Sequence, residues 1–222
     1  MEITWHGHSC FRLTERGKAT VITDPYNHKV IGYQELDLSA DIITISHAAP
    51  GHNYSDIIKK RKSRQHVLSG PGEYEIGEVF ITAIRTNGKS KRKEDEARNH
   101  MFIFDYDGIL IAHLGNMKRV PSQSEVKSIA GDIQVALVPV GGGSGLNSSQ
   151  AVEVIRMLEP SYAIPMHYRT PESKMDLDPL SNFTKEMGLE KVEPRPSLNI
   201  TSSKTSSETK VVVLSYEPSQ SD

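Results

Sequence analysis

The sequence predicts an α/β fold built on buried sheet, and three observations carry that reading. Strand-like runs dominate the first half of the 222 residues. In the second half, short apolar strands alternate with helices. Within the first half, Ser46-His47-Ala48-Ala49-Pro50-Gly51-His52 runs straight off a β-branched strand into a histidine-bearing loop, the kind of place where rigid scaffolds present ligands and catalysts.

The elements follow in chain order. Residues 3–13 alternate loosely and precede the turn Glu15-Arg16-Gly17. A β-branched run over 19–23 ends at Asp24-Pro25, and another over 41–46 leads into His47. A weakly patterned helix is predicted over 55–61. Two hairpins follow, 73–84 turning at Gly77 and 101–112 turning at Asp107-Gly108. Asp-Gly is the stronger signal, because a tight type I′ turn needs positive φ at both central residues. A second weak helix covers 122–129. Residues 133–140 are almost wholly apolar, as expected of a strand buried on both faces. After a glycine loop, Asn147-Ser148-Ser149 offers N-caps to a helix over 150–158. A short strand at 163–166, a helix over 180–187 stopped by Gly188, and a closing strand over 209–216 complete the pattern. The last residues, 216–222, are expected to fray.

Composition narrows the function. Hydrophobic content of 36%, charged content of 24% and a net charge of -2 describe a soluble globular protein with no electrostatic case for nucleic acid or membrane. Met1-Glu2-Ile3-Thr4 lacks the basic-then-apolar pattern of a signal peptide, and no apolar run approaches the roughly 18 residues of a membrane span. The single cysteine, Cys10, rules out an internal disulfide, so a cytoplasmic protein is expected. Beside the apolar Phe11, Cys10 reads as a small buried residue rather than a nucleophile. Residues 86–98 are polar throughout, a basic block followed by an acidic one, and read as a solvated loop, with phosphate contact as the lesser alternative.

Nine histidines are present, and their placement matters more than their number. His47 and His52 follow one strand, His113 ends a second in His113-Leu114-Gly115-Asn116, and His167 ends a third in Pro165-Met166-His167-Tyr168. His8 sits in the first strand run, in Trp5-His6-Gly7-His8-Ser9. Any one alone is more often a hydrogen-bonded structural histidine than a ligand. Several at strand ends favour a zinc-like metal, for which imidazole is the commonest ligand. The loop Gly141-Gly142-Gly143-Ser144-Gly145 between strand and helix lacks the dinucleotide spacing, since Leu146 stands at the third small position, and lacks a P-loop Lys-Ser/Thr. A helix N-terminus there still suits an anionic substrate group.

In this order these segments resemble the metallo-β-lactamase superfamily, specifically its ascorbate-6-phosphate lactonase-like branch. Trp5-His6-Gly7-His8-Ser9, Thr23-Asp24-Pro25-Tyr26, Ile45-Ser46-His47, His113-Leu114-Gly115-Asn116, Pro139-Val140-Gly141-Gly142 and Pro165-Met166-His167-Tyr168 carry the resemblance, which spans residues 3–168. It implies one domain over 1–222 with an αββα sandwich: two mixed sheets face to face, helices on the outer faces.

The resemblance also implies a two-metal centre held by a His-x-His-x-Asp-His loop, two later histidines and a bridging aspartate. Here that set is incomplete. His47, His52 and His167 match ligand positions, but Ala49 and Gly51 replace a histidine and the aspartate. Asn87, Gly88 and Lys89 stand where the next histidine is expected, and Asn116 replaces the bridging aspartate. The first site would keep only His47. The second would keep His52 and His167, with Asn116 as a third contact, so the sequence leaves room for one zinc or other divalent transition metal, or for none. Asn116 and His113 are the candidates for catalytic contact. His8, His6, Asp24 and His28 are candidates for recruitment or for orienting the ligands by hydrogen bonds.

Two functions compete. One is a hydrolase of a small phosphorylated or lactone-like molecule with at most a mononuclear site. The other is a non-catalytic member whose cleft binds a ligand or whose fold serves as an interaction module. A nuclease is disfavoured by the acidic balance. Exposed strand edges would permit homo-oligomers.

Overall fold

The computed structural model describes residues 1–86, 99–127, 132–201, 206 and 208–218. Strands β1 (Glu2–Trp5), β2 (Phe11–Thr14) and β3 (Val21–Thr23) pair antiparallel in succession. The one-turn helix α1 (His28–Ile31) precedes β4 (Ser39–Ala40) and β5 (Ile42–Thr44). Next come β6 (Lys59–Lys60), β7 (His66–Leu68) and a meander of β8 (Gly72–Ile76), β9 (Val79–Arg85), β10 (His100–Tyr106) and β11 (Ile109–His113). The remainder is α2 (Gln123–Lys127), β12 (Val135–Pro139), α3 (Ser148–Leu158), β13 (Tyr162–Met166), α4 (Leu180–Glu186), β14 (Ser197–Asn199) and β15 (Lys210–Val211).

Two mixed sheets result, ordered β14-β1-β2-β3-β5-β7 and β15-β13-β12-β11-β10-β9-β8, with a separate β4-β6 pair. One continuous core joins them: Ile3, Phe11 and Ile42 from the first sheet pack in the same cluster as Phe102, Ile111 and Leu137 from the second. Every residue of β12 is buried, which explains its unbroken apolar run. The helix α3 adds Ala151, Val152, Val154 and Ile155 to this core. A second cluster of Ile22, Ile43, Tyr26, Tyr33, Leu38 and Ile58 joins buried residues of β3 and β5 to the irregular stretch over 25–60. In that stretch, among the described residues, only short helical turns occur in place of full helices. The layered α/β sandwich is the architecture that the sequence predicts, with few helices. No helix among the described residues is long and apolar enough to cross a membrane.

Local chemistry sets the element ends. Both hairpins turn on paired positive-φ residues, Gly77 and Glu78 at 54° and 60°, Asp107 and Gly108 at 54° and 83°. The helix α3 begins at a full capping box: the Asn147 side chain accepts from Gln150 N at 2.9 Å, and Gln150 accepts from Asn147 N at 3.1 Å. Asn147→Ala is expected to cost about 1 kcal/mol, read as a lowered urea midpoint with unchanged slope.

Several expectations are corrected. Residues 3–13 are two strands, not one, joined by a turn in which His6 N donates to Cys10 O and Cys10 N donates to Gly7 O. His8 therefore lies in a loop. The segment over 55–61 holds only a 3₁₀ turn, Ser55–Ile57, before β6, because its lysines join a strand pair instead. The closing strand is shortened to Lys210–Val211. Tyr216 and Glu217 are not frayed: the Tyr216 hydroxyl accepts from Gln34 N at 3.2 Å and Glu217 N donates to Trp5 O at 3.1 Å. The predicted loop beyond Thr86, the far end of the 122–129 helix and residues 219–222 lie outside the described residues.

Candidate metal centre

The parallel strands β3 and β5, and β11, β12 and β13, bring their carboxyl ends to the loops that form a cleft, the usual ligand edge of a sheet. After β3 comes Asp24, after β5 come Ser46, His47 and His52, after β11 Asn116, after β12 the glycine loop, and after β13 His167. The β1–β2 turn adds His8. The cleft encloses about 120 Å³, with Val30, Ile31, Pro50 and Met175 as apolar walls and His8, His47, His52, His167, Asn116 and Ser144 as the polar lining.

Three histidines converge. His8, His52 and His167 are buried, and one donor atom from each lies within 4.8 Å of the others. Their ring centroids are 4.3 Å apart for His8 and His167, 5.0 Å for His8 and His52, and 5.7 Å for His52 and His167. His8 and His167 hold left-handed backbone, φ 51° and 54°, unusual for residues with a side chain. Their loops are tied directly, since His167 N donates to His8 O at 3.0 Å.

Asp24 anchors the set. It is fully buried and accepts from Ser46 N at 2.7 Å, from the Ser46 hydroxyl, and from His52 Nδ1 at 2.8 Å. That bond assigns the proton to Nδ1 of His52 and leaves Nε2 as its free donor atom, a carboxylate–imidazole arrangement that orients a ligand. Burial alone would raise the Asp24 carboxyl. The neighbouring His113 and His52 and the hydrogen bonds from His52 and Ser46 outweigh it and hold the group below its usual range.

The same burial lowers the histidines. His167 is pushed down to about 3 by burial and then by His52. His8 falls well below its ordinary value through burial, His167 and His52. His113 is lowered by burial despite the opposing pull of Asp24 and of its hydrogen bond to Ser9. All three are neutral imidazoles at pH 7, the form that binds metal.

The other sequence candidates take different places. His47 lines the cleft, its ring 5.3 Å from that of His52, but stands outside the three-histidine group. Asn116 lines the cleft: Nδ2 donates to Ser144 Oγ at 2.8 Å, while Oδ1 is buried without a hydrogen-bond partner. His113 is set back, its Nε2 donating to Ser9 O at 3.0 Å, so it ties the end of β11 to the loop that carries His8. His6 faces away, bonded to Glu217 O and Thr4. His28 lies nearest Glu35, at 3.9 Å, and does not line the cleft. Cys10 is buried with its thiol pushed up by burial and by Asp24, the state of an inert core residue.

Sequence reasoning passed over Ser46, Ser144 and Asn99. Asn99 is buried, accepts from Asn116 N at 2.7 Å and donates to Leu114 O at 2.9 Å, fixing the loop after β11. Nothing near Asn99 in the sequence marks it. Ser46 stood in plain view beside His47.

The donors suit one ion. Three imidazoles, from His8, His52 and His167, meet the minimum protein share of a catalytic zinc site. Nδ1 of His8 and of His167 are buried without hydrogen-bond partners, an arrangement that costs free energy in the absence of a cation or water. Among the described residues, Ala49 and Gly51 line this cleft without bringing a donor to it.

Comparison with known proteins places the chain among metal-dependent hydrolases. A family described as a β-lactamase superfamily domain matches residues 2–167. A proposed zinc-dependent hydrolase of the metallo-β-lactamase superfamily from Thermotoga maritima shares 33% identity and a TM-score of 0.76, over 96% of this chain and 97% of that one. A metal-dependent hydrolase from Thermoplasma acidophilum, Ta0764, is 26% identical over 192 residues, 77% of this chain and 84% of that protein. Igni18, a metallo hydrolase from Ignicoccus hospitalis, shares the fold at a TM-score of 0.65 and 20% identity, over 90% of this chain and 99% of that one. With the family match covering most of its length and joining both sheets and the cleft, the chain belongs to the metallo-β-lactamase superfamily.

Proposed function

We propose that this protein is a hydrolase of a small molecule, using a single divalent transition metal held by His8, His52 and His167. The convergence of these three buried histidines is the observation that carries the reading. The metal would supply the Lewis acidity that makes water nucleophilic near neutral pH. The chain's own groups do the rest. Asp24 fixes the tautomer and direction of His52. The apolar walls exclude water and take up the apolar part of a substrate. Asn116 lines the cleft, and its bond to Ser144 ties the loop after β11 to the glycine loop. His113 acts as a positioning residue through Ser9.

Charge narrows the substrate. Among the described residues, no lysine or arginine lines the cleft, so none of them neutralises a phosphate beside the metal. A neutral lactone or carboxylic ester fits this lining better than a phosphorylated compound. The competing reading, a ligand-binding protein without turnover, draws on the lack of any Asp or Glu lining the cleft among the described residues, which offer no carboxylate there as general base.

A panel of lactones, carboxylic esters and phosphoesters tests this, run with zinc-, manganese- and iron-loaded full-length protein. Turnover of a lactone or ester is expected, with His52→Ala and His167→Ala each lowering kcat/KM at least ~100-fold through lost metal. Metal bound at one equivalent without turnover of any class would favour the binding protein instead.

A further inference from the structure

His8 reaches the cleft only because residue 51 has no side chain. A Cβ built on Gly51 would stand 2.7 Å from His8 Nε2, closer than real Cβ contacts allow, and at a tight 3.1 Å from His8 Cδ2. It would also meet Ile31 Cδ1 at 3.1 Å, and Ile31 is packed in the second core cluster. Retreat is blocked on the other side as well. The His8 carbonyl accepts from Trp5 Nε1 at 3.1 Å and from His167 N at 3.0 Å, and its φ of 51° is fixed by the turn. Any side chain at position 51 therefore displaces the His8 ring from His52 and His167.

We propose that Gly51 admits His8 as the third donor, and that the centre so formed is an all-imidazole site selective for zinc or cobalt over manganese and magnesium. This rests on the mononuclear reading above and adds the choice of metal and the residue that permits it. Selectivity follows from the donors. Imidazole suits zinc and cobalt, whereas manganese and magnesium favour carboxylate, carbonyl and water oxygens. The nearest carboxylate cannot supply that oxygen, because Asp24 is occupied by Ser46 and by Nδ1 of His52. Among the described lining residues, Asn116 Oδ1 is the one side-chain oxygen without a hydrogen-bond partner, and a single neutral amide does not make a site for a hard cation. Three imidazole ligands carry no negative charge, so an ion held there would strongly polarise a water or a substrate carbonyl at the open position.

Titration calorimetry of chelator-treated full-length protein with Zn²⁺, Co²⁺ and Mn²⁺ tests this, with the visible absorption of Co²⁺ as a second readout. Wild type is expected to take up one equivalent of zinc or cobalt, with manganese at least ~100-fold weaker. His8→Asn, which tolerates the left-handed backbone, and Gly51→Ala should each weaken cobalt at least ~10-fold and alter its spectrum. His8→Gly/Gly51→Asp places a carboxylate in the vacated space. It should bind manganese at least ~10-fold more tightly than His8→Asn does. Thermal melts of the metal-free variants identify any that fail to fold, and His8→Asn, which adds no volume, decides the matter if Gly51→Ala does. Unchanged cobalt affinity in His8→Asn, or in folded Gly51→Ala, overturns the proposal while leaving a centre on His52 and His167. Wild-type protein that binds none of these ions overturns the mononuclear reading itself.

Discussion

Asp24→Ala is expected to destabilise the protein by about 3–5 kcal/mol, because it strands buried hydrogen-bond donors at about 1–3 kcal/mol each. The carboxylate is fully buried and serves three donors: Ser46 N, the Ser46 hydroxyl and His52 Nδ1. Truncation strands all three in a space that water must then enter or leave empty. Against a total stability of about 5–15 kcal/mol for a typical domain, that loss is a large fraction. Asp24→Asn keeps the shape but cannot accept from all three, so an intermediate loss is expected. Urea unfolding of the metal-free variants reads both, and zinc affinity should fall in parallel because His52 loses its orienting partner. An Asp24→Ala midpoint within error of wild type would show that the carboxylate contributes no net stability.

In chelator-treated protein, stability should fall steeply as pH drops below about 6.5. His8, His113 and His167 are all held below their ordinary value of 6.5, His167 down to about 3. In the native chain they stay neutral while the unfolded chain takes up protons, so the unfolded state gains free energy as pH falls. Each such histidine contributes up to about 1.4 kcal/mol per pH unit, a slope approached about one unit below the onset and lost as pH reaches its native value. For His167 the loss continues down to about pH 3. Asp24 acts in the same direction lower down, as pH falls from its ordinary 3.8 toward its depressed native value. Saturating zinc should move the acid transition to lower pH, because bound metal adds its own stabilisation to the native state. Urea midpoints at pH 7.5, 6.5 and 5.5, with and without zinc, measure the effect. A midpoint that stays level over this range in the metal-free protein would mean that the histidines protonate without resistance.

Much of this molecule is readable from its residues, for reasons that differ by element. The 101–112 hairpin was marked by Asp107-Gly108, whose local φ requirement overrides other signals, and β12 by an apolar run that only a doubly buried strand explains. The β1–β2 turn was hidden because the alternation of residues 3–13 continues through His6 to Cys10, and a turn this tight interrupts no pattern. Helix α1 has four residues, too few to express a helical period, and β6 is a pair of exposed lysines held by pairing with β4 rather than by burial. In the cleft, His47, His52 and His167 were visible as histidines at strand ends. The place of His8 was not, because it depends on a left-handed turn and on empty space above Gly51, both products of the tertiary fold.

The most direct test is the stoichiometry of metal in the native protein. Full-length chain purified without chelator, soaked with zinc and desalted, should retain one zinc per chain by elemental analysis, and His52→Ala or His167→Ala should retain almost none. Two zinc ions per chain, or less than about a tenth of an equivalent of any transition metal in the wild type, would contradict a single centre built on His8, His52 and His167.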